Sequence, residues 1–206
     1  MSYRLRKTRL ALIAGLAFAA SACTTTYTGP VEVTRFVSAQ TAALGQGEIA
    51  VTFPNEIENQ NVRVAFTDAV IAELNRLGYT PIVGSAEGMQ TATVRTFRGP
   101  IAGDNPRNPV SVGVGGSTGG YGSGVGLGLG INLGGNNPGP QVLTNLAVRI
   151  SDPSGQALWE GRAQLPTSVK SPYSDPQASA SALATALFKD FPGGNGETVQ
   201  IDVDDL

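Results

Sequence analysis

The chain has 206 residues, with 14 Lys and Arg against 16 Asp and Glu, no His and one Cys, for a net charge of −2. The missing histidine removes the commonest general base, the Ser-His-Asp arrangement and the usual zinc ligand. Ten of the basic residues and all sixteen acids lie beyond residue 22, a balance of −6 with no basic patch for phosphates, so nucleic-acid binding is not expected.

The first ten residues carry Arg4, Arg6, Lys7 and Arg9 and no acid, and an apolar run follows from Leu10 to Ala20. A basic head, a short apolar middle and a small-residue exit make a secretory signal, residues 1–22. Eleven apolar residues fall short of the roughly 20 that span a bilayer. The exit Ala20-Ser21-Ala22-Cys23 resembles a lipobox, and it also satisfies an ordinary A-x-A cleavage rule. Both cut before Cys23 and differ only in whether that thiol carries lipid. An exported chain with one leftover thiol would carry a redox liability, whereas a cysteine at a new N-terminus suits an anchor. Lipidation of Cys23 is therefore the expectation, with residues 23–30 as a tether. Thr24 stands where an Asp would favour inner-membrane retention, so the chain is expected at the outer membrane, facing the periplasm.

Residues 31–206 are read as one α+β domain. Val31–Val37 alternates like a strand, and 48–53 is a second, stopped by Pro54. Glu56 and Glu58, just before a helix, are the nearest thing to a catalytic acid pair, although acids there more often satisfy the positive helix end. The helix runs from about Val62 to Leu77, with Asn59 or Asn61 as its cap and Gly78 as its stop. Val62, Phe66, Ala69, Val70, Leu74 and Leu77 share its apolar face, with Arg63, Asp68, Glu73 and Arg76 mostly away from it. Short strands at 79–83 and 92–97 follow, then a loop at 99–109.

Between Gly113 and Gly135 there are twelve glycines. They match neither G-x-G-x-x-G nor a P-loop, so no nucleotide is implied. The period is two. Val125, Leu127, Leu129, Ile131 and Leu133 would line one side of a strand and glycines nearly all of the other. That predicts a Gly-rich β-hairpin over about 110–135, with the five aliphatic residues either against the core or forming an interaction surface. Residues 125–133 also match the roughly 9–11 of a membrane strand, which as a lone hairpin would need oligomers to satisfy its edges.

Strands at 142–152 and 157–165 flank the turn Asp152-Pro153-Ser154-Gly155. Trp159 reads as a core anchor. Ser174 or Asp175 caps a second helix with Pro176 in its first turn, with Ala180, Leu183, Ala184, Leu187, Phe188 and Phe191 on its apolar face, ended by Phe191-Pro192. A last strand is expected at 198–203. Asp202, Asp204 and Asp205 form an acidic tail, more often solvated than calcium-bound. The sum is an antiparallel or mixed sheet packed against two helices.

The order of elements resembles a family of proteobacterial lipoproteins catalogued as domain of unknown function 4136. The matching features are the Cys leader, the helix running into Leu74-Asn75-Arg76-Leu77-Gly78-Tyr79, and the glycine-rich stretch. Asp152-Pro153-Ser154-Gly155 leading to Leu158-Trp159-Glu160-Gly161 and a helix closing on Phe191-Pro192 complete the set. The resemblance covers about residues 31–192. It implies an α+β envelope lipoprotein with no established activity and no catalytic residues.

The functional expectation is a membrane-anchored envelope lipoprotein, not an enzyme and without cofactor or metal. It would have a binding or structural role towards an envelope protein or a second copy of itself. Two alternatives are a component of an oligomeric export or pore assembly using the Gly-rich hairpin, and a carboxylate-only hydrolase acting on envelope glycans.

Overall fold

The structure, a computed structural model, describes residues 26–53, 59–84, 87–101 and 141–206. Seven strands form one mixed sheet: β1 (Val31–Val37), β2 (Gly47–Thr52), β3 (Tyr79–Val83), β4 (Gln90–Pro100), β5 (Gln141–Ser151), β6 (Ala157–Ser168) and β7 (Thr198–Ile201). Their order is β3-β2-β4-β5-β6-β1-β7. β2 pairs in parallel with both β3 and β4, and every other pairing is antiparallel. Helices α1 (Gln60–Arg76) and α2 (Pro176–Phe188) pack against each other and against the sheet, giving the expected α+β architecture.

Local chemistry sets the ends. Asn59 accepts from the backbone of Asn61 and Val62 to start α1, and Gly78 takes φ +100° after it, where only glycine is unstrained. Asp175 caps α2 in the same way through Gln177 and Ala178, with Pro176 following. Asp152 organises the β5–β6 turn, its Oδ1 accepting from the Ser154 amide (2.9 Å), the Ser154 hydroxyl (2.6 Å) and the Gln156 amide (2.9 Å). Those donors, the Ser154 hydroxyl foremost, hold the Asp152 carboxyl below the usual carboxylate range.

The core lies between helices and sheet. Phe66, Val70 and Leu74 of α1 and Ala180, Leu183, Ala184 and Leu187 of α2 are buried against Val31, Val33, Val51, Val94, Leu146, Val148, Ile150, Ala163 and Leu165. Trp159 is fully buried, as expected, stacked on Phe188 at 5.3 Å between ring centres and tilted against Phe191 at 5.2 Å. Its indole N–H donates to Pro192 O at 2.9 Å. Gly161 is the space this needs, since a methyl group there would strike both the Trp159 ring and Leu187 Cδ1, the latter at 2.7 Å. Gly161→Ala is expected to cost about 1–3 kcal/mol through overpacking, read as a lower urea midpoint with an unchanged slope.

Four expectations change. β1 keeps its in–out alternation, but the chemistry swaps at its end, with Arg35 buried on the core side and Phe36 exposed at 55%. Arg35 is there because its guanidinium donates to Leu187 O at 2.9 Å and Ala186 O at 2.8 Å, the carbonyls of the last turn of α2. Glu73 is buried rather than turned away: it pairs with Arg76 and accepts from Thr185 Oγ1 at 2.9 Å, tying α1 to α2. α2 ends at Phe188, three residues before Phe191, because Asp190 takes φ 56° and turns the chain so that Phe191 packs from outside the helix. β4 and β6 also run further than expected, through Pro100 and Ser168.

Pro30 closes the segment read as a tether, and Tyr27–Gly29 within it is bound to the domain. Ser168 N donates to Tyr27 O and Gly29 N to Pro166 O, both at 2.9 Å, and Thr28 bridges Thr167. Among the described residues no helix is long and apolar enough to cross a membrane.

Candidate functional site

Cys23, the pair Glu56 and Glu58, and the five aliphatic residues Val125, Leu127, Leu129, Ile131 and Leu133 lie outside the described residues. So does the expected Gly-rich hairpin; the strands on either side of that segment are described. β4 and β5 pair continuously up to Pro100 opposite Val142, and Ile101 N donates to Gln141 O at 3.0 Å. Residues 102–140 are therefore the connection of a closed β4–β5 hairpin.

The helices cover one face of the sheet, and among the described residues nothing covers the other. Register places three rows of side chains across that open face. The first is Thr93, Arg149, Glu160 and Phe36; the second is Arg95, Ala147, Arg162, Thr34 and Thr198; the third is Phe97, Asn145, Gln164, Glu32 and Gln200. The margins are paired. Arg149 meets Glu160 at 3.2 Å, Thr34 Oγ1 and Thr198 Oγ1 are 2.7 Å apart, and Gln200 Nε2 donates to Glu32 Oε1 at 3.0 Å.

The centre is not. Arg95 and Arg162 stand on either side of the small Ala147, two strand spacings or about 10 Å apart, and neither has a carboxylate partner among the described residues. Beside them the Oδ1 of Asn145 is shielded from water and unpaired among the described residues. These residues, with Phe97 (61% exposed) and Gln164, line a shallow hollow of about 400 Å³. Two guanidinium forks over a small floor residue suit an anionic group, carboxylate or phosphate, with Phe97 offering an apolar rest beside it.

A second hollow, about 480 Å³, lies by the β5–β6 turn and brings Glu87 and Asp152 to one place. Among the described residues it brings two acids to one hollow, which is what the hydrolase alternative needs. Asp152 is occupied by its own turn and shifted towards ionisation, the direction opposite to that of a general acid. Trp159 is buried and cannot stack on a ligand. Asp204 and Asp205 lie in a single 3-10 turn, and among the described residues no group of three or more acidic or Cys side chains could hold a metal.

Arg95, Arg162 and Asn145 escaped the sequence reading. Each is an outward position of a correctly placed strand, but only the pairing register shows that they meet.

No family model matches the chain, so the likeness to domain of unknown function 4136 rests on the short motifs quoted above. An uncharacterized protein of Zymomonas mobilis is 39% identical over 62 residues, 30% of this chain and 23% of that protein. A PDZ domain protein from Parabacteroides distasonis has a similar fold, at a TM-score of 0.50 and 16% identity over 85% of this chain and 38% of its own. The PelC dodecamer from Paraburkholderia phytofirmans is more distant, at a TM-score of 0.38 and 9% identity over 76% of this chain and 93% of its own. The chain thus spans well under two thirds of the first two proteins.

Proposed function

We propose that this protein is an envelope lipoprotein, held to the outer membrane through Cys23, that works by binding an acidic envelope partner on the open face of its sheet. The observation that carries the binding role is the unmatched centre of that face. Its marginal polar residues pair with one another, while Arg95 and Arg162 flank a hollow with no countercharge among the described residues. The anchor is supported by the basic and apolar leader ending at the single cysteine. Several acyl chains, at about 0.8 kcal/mol per buried methylene, make such an attachment stable.

Two measurements test the two halves. Cys23→Ser is expected to move the protein from the membrane fraction to the soluble one; continued sedimentation with membranes would overturn the anchor. A photo-crosslinking residue in place of Phe97, on the rim of the hollow, is expected to capture a partner in intact cells. Arg95→Glu with Arg162→Glu should abolish that crosslink while leaving the unfolding midpoint within about 0.5 kcal/mol of the parent, as for most surface changes. Crosslinks that survive the double reversal would remove the open face from the binding role.

A further inference from the structure

Two segments that look unrelated in sequence converge on one end of the sheet. Gln141 opens β5 opposite Ser168, the last residue of β6. Ser168 N donates to Tyr27 O, and Ile101 N donates to Gln141 O. Tyr27, Ile101, Gln141 and Ser168 are thus neighbours. The other end of the sheet is the Asp152–Gly155 turn, a full β6 strand of 12 residues away, about 40 Å at 3.3 Å per residue.

Building on the anchor reading above, we infer that the Tyr27–Ser168 end of the sheet rests on the bilayer, its partner being the phospholipid headgroup layer. Four residue steps separate Cys23 from Tyr27, a reach of at most about 14 Å when fully extended. Tyr27 cannot swing away to lengthen that reach. It is flanked by the Gly29–Pro166 hydrogen bond, and Thr28 Oγ1 lies 2.6 Å from Ser171 Oγ. The turn beyond β6 supplies a surface suited to the headgroup layer, with Val169 46% exposed and Lys170 exposed beside it. An aliphatic side chain can enter the interface there while the ammonium stays with the phosphates. The same end holds both roots of the glycine-rich connection, so residues 102–140 leave and re-enter the domain on its bilayer side. The face with Arg95 and Arg162 then stands upright from the membrane.

The test uses the full lipidated protein, reconstituted in vesicles of phosphatidylethanolamine and phosphatidylglycerol. An environment-sensitive fluorophore is attached at Val169→Cys or at Ser154→Cys, and quenching by headgroup spin-labelled lipid is measured. Several-fold stronger quenching at position 169 than at 154 is expected. Equal quenching, or stronger quenching at 154, on protein whose intact mass shows the lipid overturns the orientation while leaving the anchor standing. An intact mass without lipid on Cys23 overturns the anchor reading and the orientation with it.

Discussion

Trp159→Ala is expected to destabilise the domain by about 3–5 kcal/mol, the range for emptying a large aromatic site in a core. Three elements meet on this ring: β6 carries it, α2 stacks Phe188 on it, and the segment after α2 closes over it with Phe191 and the Pro192 carbonyl. Removing it opens a cavity and strands the Pro192 acceptor, so transfer and hydrogen-bond losses add. Trp159→Phe keeps a ring but not the indole N–H, and a loss of about 1–2 kcal/mol is expected. Because the chain has no other tryptophan, far-UV circular dichroism in urea is the suitable readout. A loss below 1 kcal/mol for the alanine variant would mean that the site collapses and that Trp159 does not organise this end of the core.

Arg35→Ala ranks next, with an expected loss of about 3–5 kcal/mol, from two charge-assisted hydrogen bonds worth about 1.5–3 kcal/mol each. Arg35 is only 7% exposed, and two of its five N–H donors go to the last carbonyls of α2. Burial pushes its pKa down and the nearby Asp190 carboxylate partly offsets that; a guanidinium stays a cation at physiological pH. Alanine would leave the Leu187 and Ala186 carbonyls buried without a donor and Asp190 without its nearby positive charge. Arg35→Lys is the informative companion, since an ammonium keeps the charge but cannot present the planar fork to two carbonyls, and an intermediate loss is expected. Equal stabilities for the Lys variant and the parent would show that charge alone, not fork geometry, is what α2 requires. Gly193 reinforces this reading, because a side chain there would meet Arg35 Cδ at 2.7 Å.

Much of the architecture is legible in the sequence because it is set by local chemistry. Asn59 and Asp175 as caps, Gly78 as a helix stop and the Asp152–Gly155 turn each act within a few residues, and each sits where expected. Strand order is different. Nothing within VEVTRFV or GEIAVT says that β1 ends up between β6 and β7, or that β2 separates β3 from β4 in parallel register. The departures at Arg35, Glu73 and Pro166 share a cause: a long-range partner overrides a local preference. Arg35 turns inward for a helix end 151 residues away, and Glu73 is buried because Thr185 and Arg76 satisfy it. Pro166 would ordinarily end a strand, yet β6 continues past it, with the Pro166 carbonyl taken by Gly29. The open-face hollow was out of reach for the same reason, since Arg95, Asn145 and Arg162 come from three strands that only tertiary register aligns.

The closed mouth of the β4–β5 hairpin has a thermodynamic consequence. Lengthening a loop whose ends are already fastened costs only about 0.6 kcal/mol per doubling. By chain length alone, the step from a short turn to the whole of residues 102–140 is roughly three doublings, a closure entropy of about 2 kcal/mol. Closure entropy therefore places little restraint on the length of the connection that these two strands can carry.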